Sequence, residues 1–163
     1  MSTPSPYRSL PPERRVALVT HAIKASREGR AQYAQRLMAR GGGFRAVTLM
    51  SWPADKLAKE IVRLNAESPQ DELELLQTLY VELEPQVQAT FCDAAGVRHE
   101  GGRMAEDLEP PYADEEGVRR GAAAVREAHG DDGARYLRTL ARYAREGWPG
   151  IEGVVESDAP AGA

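Results

Sequence analysis

The sequence predicts an all-α fold: an irregular bundle of about six helices around one long central helix. The first observation is a run of seven apolar residues, spaced three or four positions apart, which places them on one helical face. These residues are Leu73, Leu76, Tyr80, Leu83, Val87, Phe91 and Ala94. The second is composition, because alanine occurs 25 times and isoleucine only three times, which favours helices over strands.

The predicted central helix has recognisable ends. Ser68 can cap the first free amides, Pro69 suits the first helical position, and Gly96 can turn left-handed at the far end. Pro85 interrupts this stretch, since it lacks an N–H and its ring clashes with the carbonyl four residues earlier. Because the apolar spacing continues past Pro85, we predict one helix with a kink there rather than two helices.

The chain before the central helix is expected to hold a flexible arm and three helices. The arm covers residues 1–11, which are rich in proline and offer little that could pack. The helices are predicted over residues 12–28, 30–40 and 55–64, with glycines 41–43 ending the second. Residues 44–50 fit either a short strand or a helical turn, and both alternatives stay open.

The chain after the central helix begins with a long connection over residues 98–113. A connection of this length is uncommon in a compact domain and is often functional, for example as a lid. Met104, Leu108 and Tyr112 are spaced as anchors that could hold it on the core. Helices are predicted over residues 114–129 and 131–146, followed by a disordered acidic tail over 152–163. We therefore predict a single helical domain over residues 12–151.

Length, cysteine content and the terminal sequence narrow the class of protein. A chain of 163 residues is expected to form one domain. Cys92 is the single cysteine, so no internal disulfide or cysteine-based zinc cluster is expected. The sequence has no apolar run long enough for a membrane span and no secretory signal near its start. We expect a small soluble protein of the cytoplasm.

Charge is segregated along the chain. Residues 1–63 carry 12 basic and 4 acidic residues, residues 64–97 carry 7 acidic residues and no base, and residues 98–163 carry 14 acidic and 9 basic residues. Because an uncompensated face of like charge is unfavourable, we expect arginines of the first two helices to neutralise the acidic helix. The acids expected near them are Glu72, Glu74, Glu82 and Glu84.

Catalytic and metal-binding patterns are weak. Cys92, Asp93, His99 and Glu100 lie within nine residues, but they lack the paired spacing typical of zinc or di-iron sites. No serine or cysteine lies in a recognisable nucleophile motif. We predict no metal and no cofactor, and we leave enzymatic activity open while favouring a protein without it.

Partner binding is the leading functional prediction. Trp52 and Trp148 each precede a proline at the edge of a predicted helix, and tryptophan is a favoured anchor in interfaces. The acidic residues Glu72, Glu74 and Glu82 could recognise a charged partner. We expect an adaptor, regulator or accessory subunit that works through protein contacts, with unknown oligomeric state.

Two other functions are possible. An enzyme or small-ligand binder would place its site under the connection at residues 98–113, with His99, Glu100 and Tyr112 as candidate ligand-binding residues. A nucleic-acid backbone binder would use the basic N-terminal helices. We consider nucleic acid the less favoured partner, because phosphates would be repelled by the acidic helix that follows.

Overall fold

The structure, a computed structural model, describes residues 5–158 and confirms the all-α class. The described residues form nine α-helices and one two-stranded antiparallel hairpin. By its internal contacts the chain divides between Thr78 and Leu79 into two compact units, which are described separately. Whether residues 12–151 act as one domain stays a prediction.

The first unit contains five α-helices. They are α1 (Pro12–Ala25), α2 (Arg27–Ala39), α3 (Ala46–Ser51), α4 (Ala54–Arg63) and α5 (Pro69–Thr78). Helix α1 packs on α4, α2 and α5, and α2 also packs on α3 and α4. The core between them is mainly aliphatic, and its fully buried aliphatic members are Val19, Leu37, Leu49, Leu57, Ala58, Ile61 and Leu76.

Helices α1 and α2 divide at Ser26, three residues before residue 29, which separates the two predicted helices. Ser26 has extended backbone angles, and its Oγ accepts a hydrogen bond of 2.8 Å from the amide of Gly29. A serine hydroxyl in this position caps the new helix. Residues 44–50, left open between strand and helix, lie mostly in α3, whose single buried side chain is Leu49.

The N-terminal arm was predicted to offer little that could pack, and this is wrong from Ser5 onward. Tyr7 is completely buried and Leu10 is 2% exposed. The amide of Leu10 donates to the carbonyl of Tyr7, so the segment before Pro11 is a turn packed on the unit. Burial of the large Tyr7 ring is enough to pack the segment on the unit, although the neighbouring residues include few apolar side chains. Residues 1–4 lie outside the described part.

The second unit contains the remaining elements. They are a π-helical turn (Leu79–Leu83), α6 (Pro85–Ala95), β1 (His99–Glu100), β2 (Arg103–Met104), α7 (Glu115–His129), α8 (Asp131–Tyr143), a 3₁₀ turn (Arg145–Gly147) and α9 (Ile151–Glu156). Helix α7 packs against α6, α8 and α9. The hairpin pairs His99 with Met104 and sits against α6.

The predicted central helix is two helices rather than one kinked helix. Glu84 leaves the helical region with φ −129° and ψ 56°, and its amide donates to the carbonyl of Leu79, five residues earlier. Pro85 has no amide hydrogen to continue the ladder, so α6 starts at Pro85 as a new helix. The π turn shifts the apolar phase by one residue, which leaves Leu83 43% exposed.

The acidic tail was predicted to be disordered from residue 152. In the structure α9 covers Ile151–Glu156, with Ile151 only 1% exposed. Arg126 donates to the backbone carbonyl of Val154 and to the carboxylate of Asp158, which holds this end against α7. The prediction is therefore wrong for residues 152–158, while residues 159–163 lie outside the described part.

Candidate functional site

Three acidic side chains at the start of α5 and just before it are buried in the first unit. They are Glu67, Asp71 and Glu72, each less than 9% exposed. The hydroxyl of Tyr7 donates to Oε1 of Glu67 at 2.8 Å, and Nη1 of Arg8 lies 3.1 Å from its Oε2. Burial raises the pKa of Tyr7, so the phenol stays protonated and remains a donor.

Glu72 is one of the residues that we predicted for partner binding, and the structure buries it in an ion pair within the unit. Nε of Arg8 donates to Oε1 of Glu72 at 2.5 Å, and the side chain of Glu72 is only 10% exposed. We expected arginines of the first two helices to bind Glu72, but Arg8 precedes both of them. The arginine of α2 with an acidic partner here is Arg36, which lies 3.1 Å from Asp71 instead.

The other acidic candidates lie on the surface. Glu74 is exposed, and its Oε1 accepts a hydrogen bond of 3.0 Å from the side-chain Nε2 of Gln70, one turn earlier on α5. Glu82 is exposed on the π turn, next to Val81 and Leu83, which are each 43% exposed. Both carboxylates are accessible to a partner, and their role stays a prediction.

The two tryptophans occupy different environments. Trp148 is 2% exposed and packs edge-to-face on Phe91, with ring centroids 5.0 Å apart. Its ring therefore offers little surface to a partner, and its predicted role in partner binding stays a prediction. Trp52 is partly exposed and contacts Phe44 edge-to-face at 5.2 Å. Nζ of Lys56 lies 4.3 Å from the centroid of the Trp52 ring.

Trp52 belongs to a surface segment that sequence reasoning left without a function. We call residues 44–52 the aromatic segment, and it contains α3 between Phe44 and Trp52. Val47 in α3 is 83% exposed, an unusual position for a large aliphatic side chain. In the sequence Val47 lies among other apolar residues, and this pattern does not indicate whether its side chain is buried or exposed.

His99 was predicted as a ligand-binding residue, but both of its ring nitrogens are occupied. Nδ1 accepts a hydrogen bond of 3.0 Å from the amide of Gly102, so the proton of neutral imidazole lies on Nε2. Nε2 lies 2.5 Å from Oδ1 of Asp93. His99 thus closes the hairpin onto α6 and has no free lone pair for a metal or a substrate proton. Glu100 is exposed on the neighbouring position of β1.

Cys92 cannot act as an activated nucleophile in this environment. It is completely buried on α6, and desolvation together with Asp93 raises its pKa to about 11. A thiol with this pKa is almost entirely protonated near neutral pH, whereas the thiolate is the reactive form. Among residues 5–158, no group of three or more histidine, cysteine, aspartate or glutamate side chains could hold a metal ion.

Tyr112 is the ligand-binding candidate that lies at a cavity. A cavity of about 430 Å³ is bordered by Pro110, Tyr112, Arg142, Tyr143, Ala144, Arg145, Glu146 and Gly147. Neither His99 nor Glu100 is among these residues, so the structure does not unite the three candidates in one site. Arg142 and Tyr143 lie in α8 and Arg145 lies in the 3₁₀ turn, within a stretch where the sequence predicted a helix but no site.

Comparisons with known proteins give no family for the chain. No protein-family model, curated protein or solved structure matches it. Within the described residues, no helix combines the length and the apolar character that crossing a bilayer requires. Function must therefore be argued from the geometry above.

Proposed function

We propose that this protein acts through protein–protein contacts, as an adaptor, regulator or accessory subunit, with the aromatic segment as its contact surface. The observation that carries the proposal is the exposure of Val47, at 83%, between the partly exposed rings of Phe44 and Trp52. Exposed apolar side chains grouped in one short segment are typical of interaction sites. The cytoplasmic location predicted from the sequence stays a prediction.

Hydrogen bonds and one buried side chain attach the aromatic segment to the first unit. Nη1 of Arg30 donates to the carbonyls of Met50 and Trp52, at 3.1 and 2.8 Å. Leu49 is fully buried and fixes α3 to the unit, while Val47 points outward from the same helix. A rigid apolar surface loses little conformational entropy on binding, which favours affinity.

The surroundings of the segment favour a partner with acidic groups at the rim. Arg45 and Lys56 are both exposed, and Lys56 already lies over the face of Trp52. A tryptophan ring beside a cation combines a large apolar area with a charge that can pair with a carboxylate. We therefore propose an apolar contact centred on Val47 and Trp52, surrounded by ion pairs to the partner.

The test compares two valine substitutions in the full-length protein. Val47→Asp places a charge in the centre of the aromatic segment, and Val81→Asp places the same charge on the exposed valine of the π turn. The Asp at residue 47 falls in the first turn of α3, where a negative charge is compatible with the helix. Both variants are expected to change the free energy of unfolding by less than about 0.5 kcal/mol.

Affinity capture from cells that naturally produce the protein, followed by mass spectrometry, provides the measurement. We expect a recurrent companion with the wild type and with Val81→Asp, and its loss with Val47→Asp. A photo-crosslinking amino acid at residue 47 should join the same companion covalently. Retention of every companion by Val47→Asp would show that the aromatic segment is not the contact surface.

A further inference from the structure

The cavity beside Tyr112 combines aromatic walls with positive charge. Tyr112 and Tyr143 border it, together with Arg142 and Arg145. Its volume of about 430 Å³ lies within the range of small-molecule sites in proteins. All of its lining residues belong to the second unit.

The Tyr112 wall is fixed by the core. The amide of Tyr112 donates to the carbonyl of Gly147 at 2.9 Å, and a Cβ at residue 147 would lie 2.5 Å from the Tyr112 ring. Only glycine allows this approach. The ring also contacts Trp148, with centroids 5.2 Å apart. Trp148 in turn packs on Phe91. The contacts from Tyr112 to Trp148 and from Trp148 to Phe91 thus link the cavity to the interior of the unit.

The charge at the cavity comes mainly from Arg142. Its Cζ lies 5.7 Å from the centroid of the Tyr143 ring, and no acidic partner of Arg142 is found within residues 5–158. Arg145 lies 3.3 Å from Glu152, so its charge is partly compensated. Glu146 also borders the cavity and opposes anion binding, so the proposal depends on Arg142 in particular.

We propose that this cavity binds a small planar aromatic carboxylate. The tyrosine rings offer stacking surfaces for an aromatic ring, and a planar guanidinium can hold both oxygens of a carboxylate. Arg142 is already beside the Tyr143 ring, so a ligand can use both groups at once. The proposal concerns a different unit from the protein contact surface and does not depend on it.

Ligand-observed NMR titration of the full-length protein with 2-naphthoate is the test, since a ligand of this size is expected to bind with a Kd on the order of 1 mM. Arg142→Gln removes the charge, and Tyr143→Leu removes one ring; both side chains are at least partly exposed, so folding should be preserved. Each variant should weaken binding by about fivefold to tenfold. Neutral 2-naphthol should bind the wild type more weakly than 2-naphthoate.

The second unit offers a matched control. Another cavity, of about 450 Å³, is bordered by Arg119 and Arg126 but by no aromatic ring. Arg119→Gln removes an exposed arginine there and should leave the Kd for 2-naphthoate unchanged. Equal weakening by Arg119→Gln and Arg142→Gln would show unspecific attraction to arginine and overturn the proposal. No saturable binding to the wild type would overturn it as well.

Discussion

The hydroxyl of Tyr7 is expected to stabilise the first unit through one hydrogen bond, and Tyr7→Phe removes this group alone. The ring stays in place, so no cavity forms, but Oε1 of Glu67 loses a donor at 2.8 Å. Hydrogen bonds to charged groups contribute about 1.5–3 kcal/mol. Water cannot easily replace the lost donor, because Glu67 is only 3% exposed. The negative charge of Glu67 is still compensated by Arg8, which limits the loss. We therefore expect a loss of about 2 kcal/mol in the free energy of unfolding.

Tyr33→Phe is the matched control in the same unit. Tyr33 is also buried, at 6% exposure, but its hydroxyl makes no hydrogen bond within residues 5–158. Its removal should cost less than about 0.5 kcal/mol. Urea unfolding followed by circular dichroism measures both variants. Equal losses for Tyr7→Phe and Tyr33→Phe would refute the reasoning, since the two changes differ only in the bond to Glu67.

Three further predictions concern the second unit, each measured by urea unfolding. Burial raises the pKa of Cys92 to about 11 from its usual 9, so between pH 9 and 11 the thiol ionises in the unfolded chain but stays protonated in the folded one. The free energy of unfolding should therefore fall over this range, by at most about 1.4 kcal/mol per pH unit. Cys92→Ala should reduce this slope. Gly102→Ala should cost about 2–4 kcal/mol, because φ is +91° and the new Cβ would meet the carbonyl of Pro85 at 2.5 Å, whereas Gly101→Ala, with open space around it, should cost about 1 kcal/mol. His99→Gln should cost about 1 kcal/mol and leave 2-naphthoate binding unchanged, since His99 does not border the cavity.

Helices with local start and stop signals could be predicted from the sequence. Helix α7 begins after Asp114, whose carboxylate accepts from the amide of Gly117, and it ends before Gly130, close to the predicted bounds. Helix α4 likewise follows the Trp–Pro pair as expected. In both cases the deciding interaction lies within one helical turn, so neighbouring residues in the sequence contain the information.

The elements that were predicted wrongly depend on distant contacts or on backbone detail. The packing of Tyr7 depends on Glu67, 60 residues away, which no local pattern reveals. The break at Pro85 depends on the π turn before it, because a regular helix would have kept Leu83 in phase with the core. Hydrophobic spacing alone does not distinguish a kinked helix from two helices in series.

Prediction of the candidate sites was limited in the same way, because a local sequence pattern does not show the contacts that a residue makes with distant elements. Trp52 and Trp148 occupy equivalent places in the sequence, each before a proline at a helix boundary. Only the fold separates them, because Trp148 meets Phe91 and Tyr112 from other elements, whereas Trp52 meets its near neighbours Phe44 and Lys56. A tryptophan with local contacts alone remains partly open to solvent and can serve a partner.

The distribution of charge within the first unit bears on the nucleic-acid hypothesis. The basic excess of residues 1–63 is partly used inside the unit, where Arg8 and Arg36 bind buried carboxylates. Arg40 donates to the backbone carbonyl of Asn65. A phosphate backbone would have to compete with these contacts, and release of Arg8 would leave Glu67 buried without its counter-ion, which is unfavourable. We infer that these arginines serve the fold first, which favours a protein partner at the aromatic segment over nucleic acid.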